Sequence, residues 1–230
     1  MSLMSYKELL NLLDAGIITH ALPENVNSAS IDIRIGKKVL IEKCTLDTDS
    51  RLLELKTISL KERNPLVVRE HDLEREGPIN LYPGEVMLAH SIEIFHLPNN
   101  LSAMFKLKSS CGRIFLEHMN AGWCDAGWHG SALTMELKNC TRSHIIQVAF
   151  GDAIGQMVFF QHAMVPSDKS YAMRGKYNKD KGVSGMKPEI VFDDEQEEIA
   201  QQVFNETIRS PEVKEASERS QILTGEEDGQ

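Results

Sequence analysis

The middle of the chain is a succession of short strand-like segments, and their spacing is the strongest constraint on its fold. Val86 to His90, Ile92 to Phe95, Ala103 to Leu107, Ser131 to Leu137, Ile145 to Phe150 and Ala153 to Gln161 each read as a strand. Turn residues separate them at intervals of about ten residues. Upstream, Ser30-Ile31-Asp32-Ile33-Arg34-Ile35-Gly36 alternates strictly between apolar and polar, the period of a half-buried strand, and Lys38 to Glu42 reads as a further one. Many short strands at this spacing predict an all-β barrel or double-sheet fold rather than a doubly wound α/β fold. A short amphipathic helix is predicted over Ser5 to Ala15, with Ser5 and Glu8 in capping-box spacing and Gly16 ending it. Leu81-Tyr82-Pro83-Gly84-Glu85 carries a Pro-Gly turn.

Charge divides the chain of 230 residues into two parts. The net charge is −9, yet Glu189 to Gln230 holds 13 acidic and 3 basic residues. The first 188 residues therefore carry a net charge of +1 and form the expected domain, with residues 189–230 as an acidic tail. Asp193 to Ile208 reads as an acidic helix, and the chain beyond Ser210-Pro211 as disordered. Asp47 to Glu76 is polar with weak periodicity and reads as loops or an insertion. No clustered Lys and Arg surface favours nucleic acid as a partner. No apolar run reaches the roughly 18 residues a membrane helix needs. The N-terminus lacks signal-peptide features, and Cys44, Cys111, Cys124 and Cys140 show no C-x-x-C pair. These features point to reduced thiols and a cytoplasmic protein.

Four segments carry candidate chemistry. In Lys106-Leu107-Lys108-Ser109-Ser110-Cys111-Gly112-Arg113, cations flank two hydroxyls and a Gly. Such a segment is either a phosphate site or a polar turn entering a helix capped by Ser109 or Ser110. Asn120 to Gly130 holds both Trp residues, three Gly and Asp125, which suits either a binding pocket or a hairpin whose aromatics fill the core. Glu136 interrupts the apolar strand Leu133 to Leu137. Buried, it is a candidate general acid or base; alternation alone would instead point it at solvent. Arg174 to Ser184 is basic and Gly-containing, either a lid over an anion or a solvated exit from the fold.

The order of these segments resembles the dCTP deaminase branch of the trimeric dUTPase superfamily over about residues 5 to 188. The resemblance runs from the opening helix and the Ser30 to Gly36 strand through Leu81-Tyr82-Pro83-Gly84-Glu85, Leu97-Pro98-Asn99-Asn100-Leu101 and Ser-Ser-x-x-Arg. The Asp-x-Gly-Trp-x-Gly turn, the Glu136 strand, Ile154-Gly155-Gln156 and Gly175-Lys176-Tyr177 follow. It implies a distorted β-barrel of the dUTPase-like, β-clip type, assembled as a homotrimer with shared active sites. It also implies zinc-independent hydrolysis of dCTP to dUTP and ammonia.

On that resemblance Glu136 activates the water, Ser109 and Arg113 organise water, base and phosphate, and the Ala121 carbonyl orients the water. Lys108 and Ser110 lie along the phosphates, Asp125 receives the 3′-hydroxyl, and Trp128 packs beside the sugar. Gln156 sits near the nucleotide, with Tyr171, Lys176 and Tyr177 from the lid. Magnesium enters only with the phosphates. His118 stands where the family has a His linked to inhibition by dTTP.

The residues agree about zinc. No His or Cys is followed two positions later by Glu, so the zinc deaminase motif is missing. Three departures stand out. Lys108 replaces the usual Arg and lacks its bidentate fork. Asp180 replaces a Gln of the lid, and a carboxylate there would repel a triphosphate, which opens use of a monophosphate. One extra residue between Asp125 and Glu136 predicts a bulge. Ala121-Gly122-Trp123 looks like members that also hydrolyse dUTP to dUMP. A plain dUTPase, with Asp125 activating water against the α-phosphate, and a non-catalytic regulator are the competing readings.

Overall fold

A computed structural model describes residues 1–42, 58 and 68–187. Most of the Asp47 to Glu76 stretch, and the predicted helix and disordered end of the tail, lie outside the described residues.

Strands dominate the described chain. The first elements are β1 (Ser2–Leu3), helix α1 (Tyr6–Asp14), β2 (Ile18–Thr19), β3 (Ile31–Glu42), β4 (Val68–Asp72) and β5 (Ile79–Leu81). The long strands β6 (Val86–His96) and β7 (Leu101–Leu107) precede a short helix, α2 (Ser109–Arg113). Then come β8 (Leu116–His118), β9 (Trp123–Cys124), β10 (His129–Asn139), β11 (Ile146–Val148), β12 (Ala153–Gln161) and helix α3 (Tyr171–Arg174). Ten strands join in one sheet whose main path is β8-β10-β6-β3-β12-β7-β9, and it curls into a half-barrel. The strands β11 and β5 form a separate ribbon. The all-β expectation holds. Among the described residues no helix is long and apolar enough to cross a membrane.

Helix α1 forms where expected. Glu8 accepts hydrogen bonds from the Ser5 N–H and hydroxyl, both at 2.7 Å. Those bonds hold the Glu8 carboxyl below its usual range, the backbone bond contributing most. Leu9 and Leu12 turn inward onto the core.

Two pairs of expected strands are in fact single strands. The chain does not turn at Gly36, and β3 continues to Glu42. A Cβ on Gly36 would fall 2.2 Å from the His90 ring, so glycine there makes room for a neighbour rather than a bend. Likewise β6 runs through Ser91 without a break. Its polar residues are satisfied inside the sheet. The Ser91 hydroxyl donates to the Glu93 carbonyl at 2.6 Å and accepts from the Leu133 N–H at 2.8 Å. Glu93, fully buried, receives Arg34 Nε at 2.8 Å and the Arg34 N–H at 3.0 Å. A buried carboxylate is tolerable only with such partners. Pairing of β10 with β6 shifts register between His129 and Ser131 and again between Ala132 and Thr134, the irregularity that the extra residue predicts.

Candidate active site

Glu136 lies on β10 beside β8, where Leu137 is paired with His118. Its side chain is 25% exposed and that of His118 only 4%. Glu136 Oε2 stands 3.3 Å from His118 Nε2. The two are close enough for an ion pair but not aligned as a hydrogen bond. Both atoms are buried and, among the described residues, have no hydrogen-bond partner. Leaving such groups unpaired costs about 1–3 kcal/mol each, so this is a place that a polar reactant or water would stabilise.

The surroundings fix this pair. His118 packs edge-on against Phe105, ring centroids 4.8 Å apart. Gly122 passes over both: a Cβ there would meet Phe105 at 2.9 Å and His118 at 3.4 Å. The Gly122 carbonyl accepts from the Phe105 N–H at 2.8 Å. Ala121, exposed, is therefore one residue from the backbone that packs on Phe105 and His118.

The Ser-Ser-x-x-Arg segment forms α2, with Lys108 rather than Ser109 or Ser110 at the N-cap position. Neither serine is needed as a cap, and Ser109, Ser110 and Arg113 are all exposed. Lys108 is engaged: its ammonium forms a close ion pair with Asp32 of β3. Gln156 of β12 is the register partner of Asp32, and its Nε2 lies 3.5 Å from Asp32 Oδ1. Among the described residues no hydrogen bond or ion pair joins Glu136 to Ser109, Ser110, Arg113 or Asp125.

The two Trp residues part company. Asp125 is exposed and accepts from Trp123 Nε1 at 2.7 Å. Trp123, 52% exposed, stacks on Phe160. Trp128 is 6% exposed and stacked on Phe95 in the core, centroids 5.4 Å apart. Its Nε1 donates to the Tyr177 carbonyl at 3.2 Å, so the ring supports the lid segment from below.

Part of that segment is hydrogen-bonded to the body of the fold, while Arg174, Lys179 and Lys181 are exposed. Tyr177 to Asp180 runs along the start of β10. The Tyr177 carbonyl accepts from the Ser131 hydroxyl at 2.8 Å. Asn178 Oδ1 accepts from the His129 N–H, Lys179 donates its N–H to the His129 carbonyl, and the Asp180 carbonyl accepts from the Ala132 N–H. Tyr171 opens α3, with its N–H donated to the Ala126 carbonyl at 3.0 Å. Burial pushes the Tyr171 phenol above its usual range. The Lys176 ammonium lies 5.8 Å from the Tyr177 ring centroid and that of Lys187 5.4 Å.

Asp180, expected to repel phosphate, receives Lys187 Nζ at 2.6 Å and the Ser184 hydroxyl at 2.7 Å. Burial favours its neutral form, but these bonds and the Lys187 charge outweigh that and hold the carboxyl below its usual range. Among the described residues no three His, Cys, Asp or Glu side chains converge as a metal cage.

In the sequence Asp32 reads only as one polar position of an alternating strand, because two of its partners, Lys108 and Gln156, lie 76 and 124 residues away.

Residues 3–162 match a family model described as dCTP deaminase-like. Three similar curated proteins share the name dCTP deaminase, dUMP-forming. The one from Nanoarchaeum equitans is 29% identical over 192 residues, covering 79% of this chain and 95% of that protein. The one from Kocuria rhizophila is 30% identical over 189 residues, covering 80% and 91%. The one from Persephonella marina is 32% identical over 159 residues, covering 69% and 81%. Among solved structures, the 2′-deoxycytidine 5′-triphosphate deaminase from Agrobacterium tumefaciens aligns with a TM-score of 0.53 at 24% identity, over 73% of this chain and 50% of that one. That likeness concerns the fold.

Proposed function

The chain belongs to the dCTP deaminase-like family, and on that premise we propose that it hydrolyses the 4-amino group of dCTP and releases dUMP. The observation that carries this reading is the unpaired Glu136 carboxylate oxygen beside buried His118. Glu136 takes a proton from a water as its oxygen bonds to C4 of cytosine, and passes that proton to N3. The new hydroxyl's proton then moves through Glu136 to the amino group. The C4–N bond breaks, ammonia leaves with the bonding pair, and C4=O forms. One water is consumed and one ammonia released.

The second step consumes another water at the α-phosphate and releases pyrophosphate, with Asp125 as its candidate base. The names of the relatives and the Ala121-Gly122-Trp123 sequence favour this product over dUTP. Lys108, Ser110, Arg113 and Lys176 face the phosphates, and magnesium travels with the nucleotide. Inhibition by dTTP acts at the same site, beside His118.

A homotrimer completes the site. Ile114, Phe115, Met119 and Trp123 are 53%, 64%, 56% and 52% exposed beside α2 and Asp125, a contiguous stretch of chain that association would cover. In this reading α2 of one subunit faces Glu136 of its neighbour. Light scattering then gives about three times the chain mass of 25.9 kDa.

The test is to incubate the purified protein separately with dCTP, dCMP and dUTP, with and without a zinc chelator, and to assay ammonia, dUMP and pyrophosphate. The reading expects chelator-resistant ammonia, dUMP and pyrophosphate from dCTP. No ammonia from any cytosine nucleotide would refute the deaminase; dUTP accumulating without pyrophosphate would remove the second step.

A further inference from the structure

We propose that Asp32 is a positioning residue that presets Lys108, and with it Gln156, for the nucleotide phosphates; this rests on the reading of Lys108 as a phosphate contact. On β3, Ile31 and Ile33 are fully buried, and alternation turns Asp32 to the opposite face. There its side chain is only 15% exposed and that of Lys108 27%. Three donors converge on this carboxylate, two of them from distant parts of the chain. Lys108 Nζ meets Oδ2, Asn27 Nδ2 donates to Oδ1 at 2.8 Å, and Gln156 Nε2 lies 3.5 Å from Oδ1. The Lys108 backbone is pinned too, its N–H donated to the Ile154 carbonyl at 2.8 Å.

A half-buried carboxylate demands such donors, and it returns the favour by fixing them. Lys108 has a long flexible stem, and ordering it at the moment of binding would cost rotamer entropy. Asp32 removes that cost beforehand by holding the ammonium where β7 ends and α2 begins. It touches no reacting atom and acts through Lys108.

A double-mutant cycle tests this in the full chain. Asp32→Asn should raise KM for dCTP about ten-fold with kcat within about two-fold. In a Lys108→Ala background the same change should move KM by less than about two-fold. An unchanged or lowered KM in the single variant overturns the proposal. So does an equal rise in the Lys108→Ala background, which would assign the effect to Asn27 or the sheet. Should Asp32→Asn not fold, as circular dichroism would show, Asp32→Glu carries the test. It keeps the charge but displaces the ammonium, and its KM rise should likewise vanish without Lys108. If the wild-type protein releases no ammonia, the function reading falls separately, and the cycle is read from the calorimetric Kd for dCTP.

Discussion

Gly127 packs the Asp125 loop against the Ser170 cap of α3, and its replacement by Ala would measure how tightly the two are coupled. Its φ is +87°, and an added Cβ would lie 2.0 Å from the Ser170 hydroxyl, 2.9 Å from Asn99 Oδ1 and 3.1 Å from the Ala172 N–H. Ser170 is fully buried; its hydroxyl donates to Asn99 Oδ1 at 2.7 Å and accepts from the Ala172 N–H at 3.2 Å, capping α3. Left-handed backbone costs a non-Gly residue about 1–2 kcal/mol. Reduced freedom of the unfolded chain offsets about 0.4–1 kcal/mol of that. The two displaced hydrogen bonds add about 1 kcal/mol each. The net loss is about 2–3 kcal/mol, which at about 2–4 °C per kcal/mol for a chain of this size lowers Tm by roughly 5–10 °C. Melting followed by circular dichroism measures it. Adding Ser170→Ala removes the 2.0 Å contact, so the double variant should lose less than the sum of the singles. A Tm shift of Gly127→Ala under about 2 °C, or strict additivity, would refute the coupling.

Two further outcomes follow from the same structure. Burial pushes the His90 imidazole below its usual range, opposed by the Ser91 carbonyl and the Asp180 charge and reinforced by Lys38. His129 is lowered by burial as well, with Lys179 adding to the effect. A folded-state value below the unfolded one, near 6.5, means that stability is complete above about pH 6.5 and is lost as pH falls through the folded value. Melting temperature should therefore drop between about pH 7 and pH 5, and His90→Gln should flatten part of that slope; an unaltered slope would exclude His90. Trp128→Phe keeps the stack on Phe95 but loses the bond to the Tyr177 carbonyl, worth about 1 kcal/mol. Limited proteolysis should then cut the lid near Lys176 and Lys179 sooner than in wild type, and equal cutting rates would contradict the support role of the ring.

Local pattern carried the strands well and their continuity poorly. Alternation at Ile31, Ile33 and Ile35 marks β3 correctly, because one face of the sheet is buried. Gly36 and Ser91 read as breaks because what explains them, the His90 ring packed over Gly36 and the Leu133 N–H bonded to Ser91, comes from other strands. Glu136 was legible as a polar residue in an apolar strand, but its unpaired oxygen beside His118 is a tertiary fact. Trp128 and Trp123 cannot be told apart by type; strand geometry sends one to the core and leaves the other beside Asp125. The Ser109 and Ser110 hydroxyls had two readings, and only the helix start at Lys108 frees them from capping. Asp32 stayed hidden because a long-range ion pair leaves no mark on local spacing.

In the proposed reaction Glu136 moves the protons of a zinc-independent deamination. The most direct measurement is ammonia release from dCTP by wild-type protein and by Glu136→Gln, side by side, with the chelator present. Gln keeps the shape and cannot accept the proton. The variant should lose about 10³-fold or more in kcat, with the melting temperature and the Kd for dCTP essentially retained. A variant that releases ammonia within about ten-fold of the wild-type rate would contradict it.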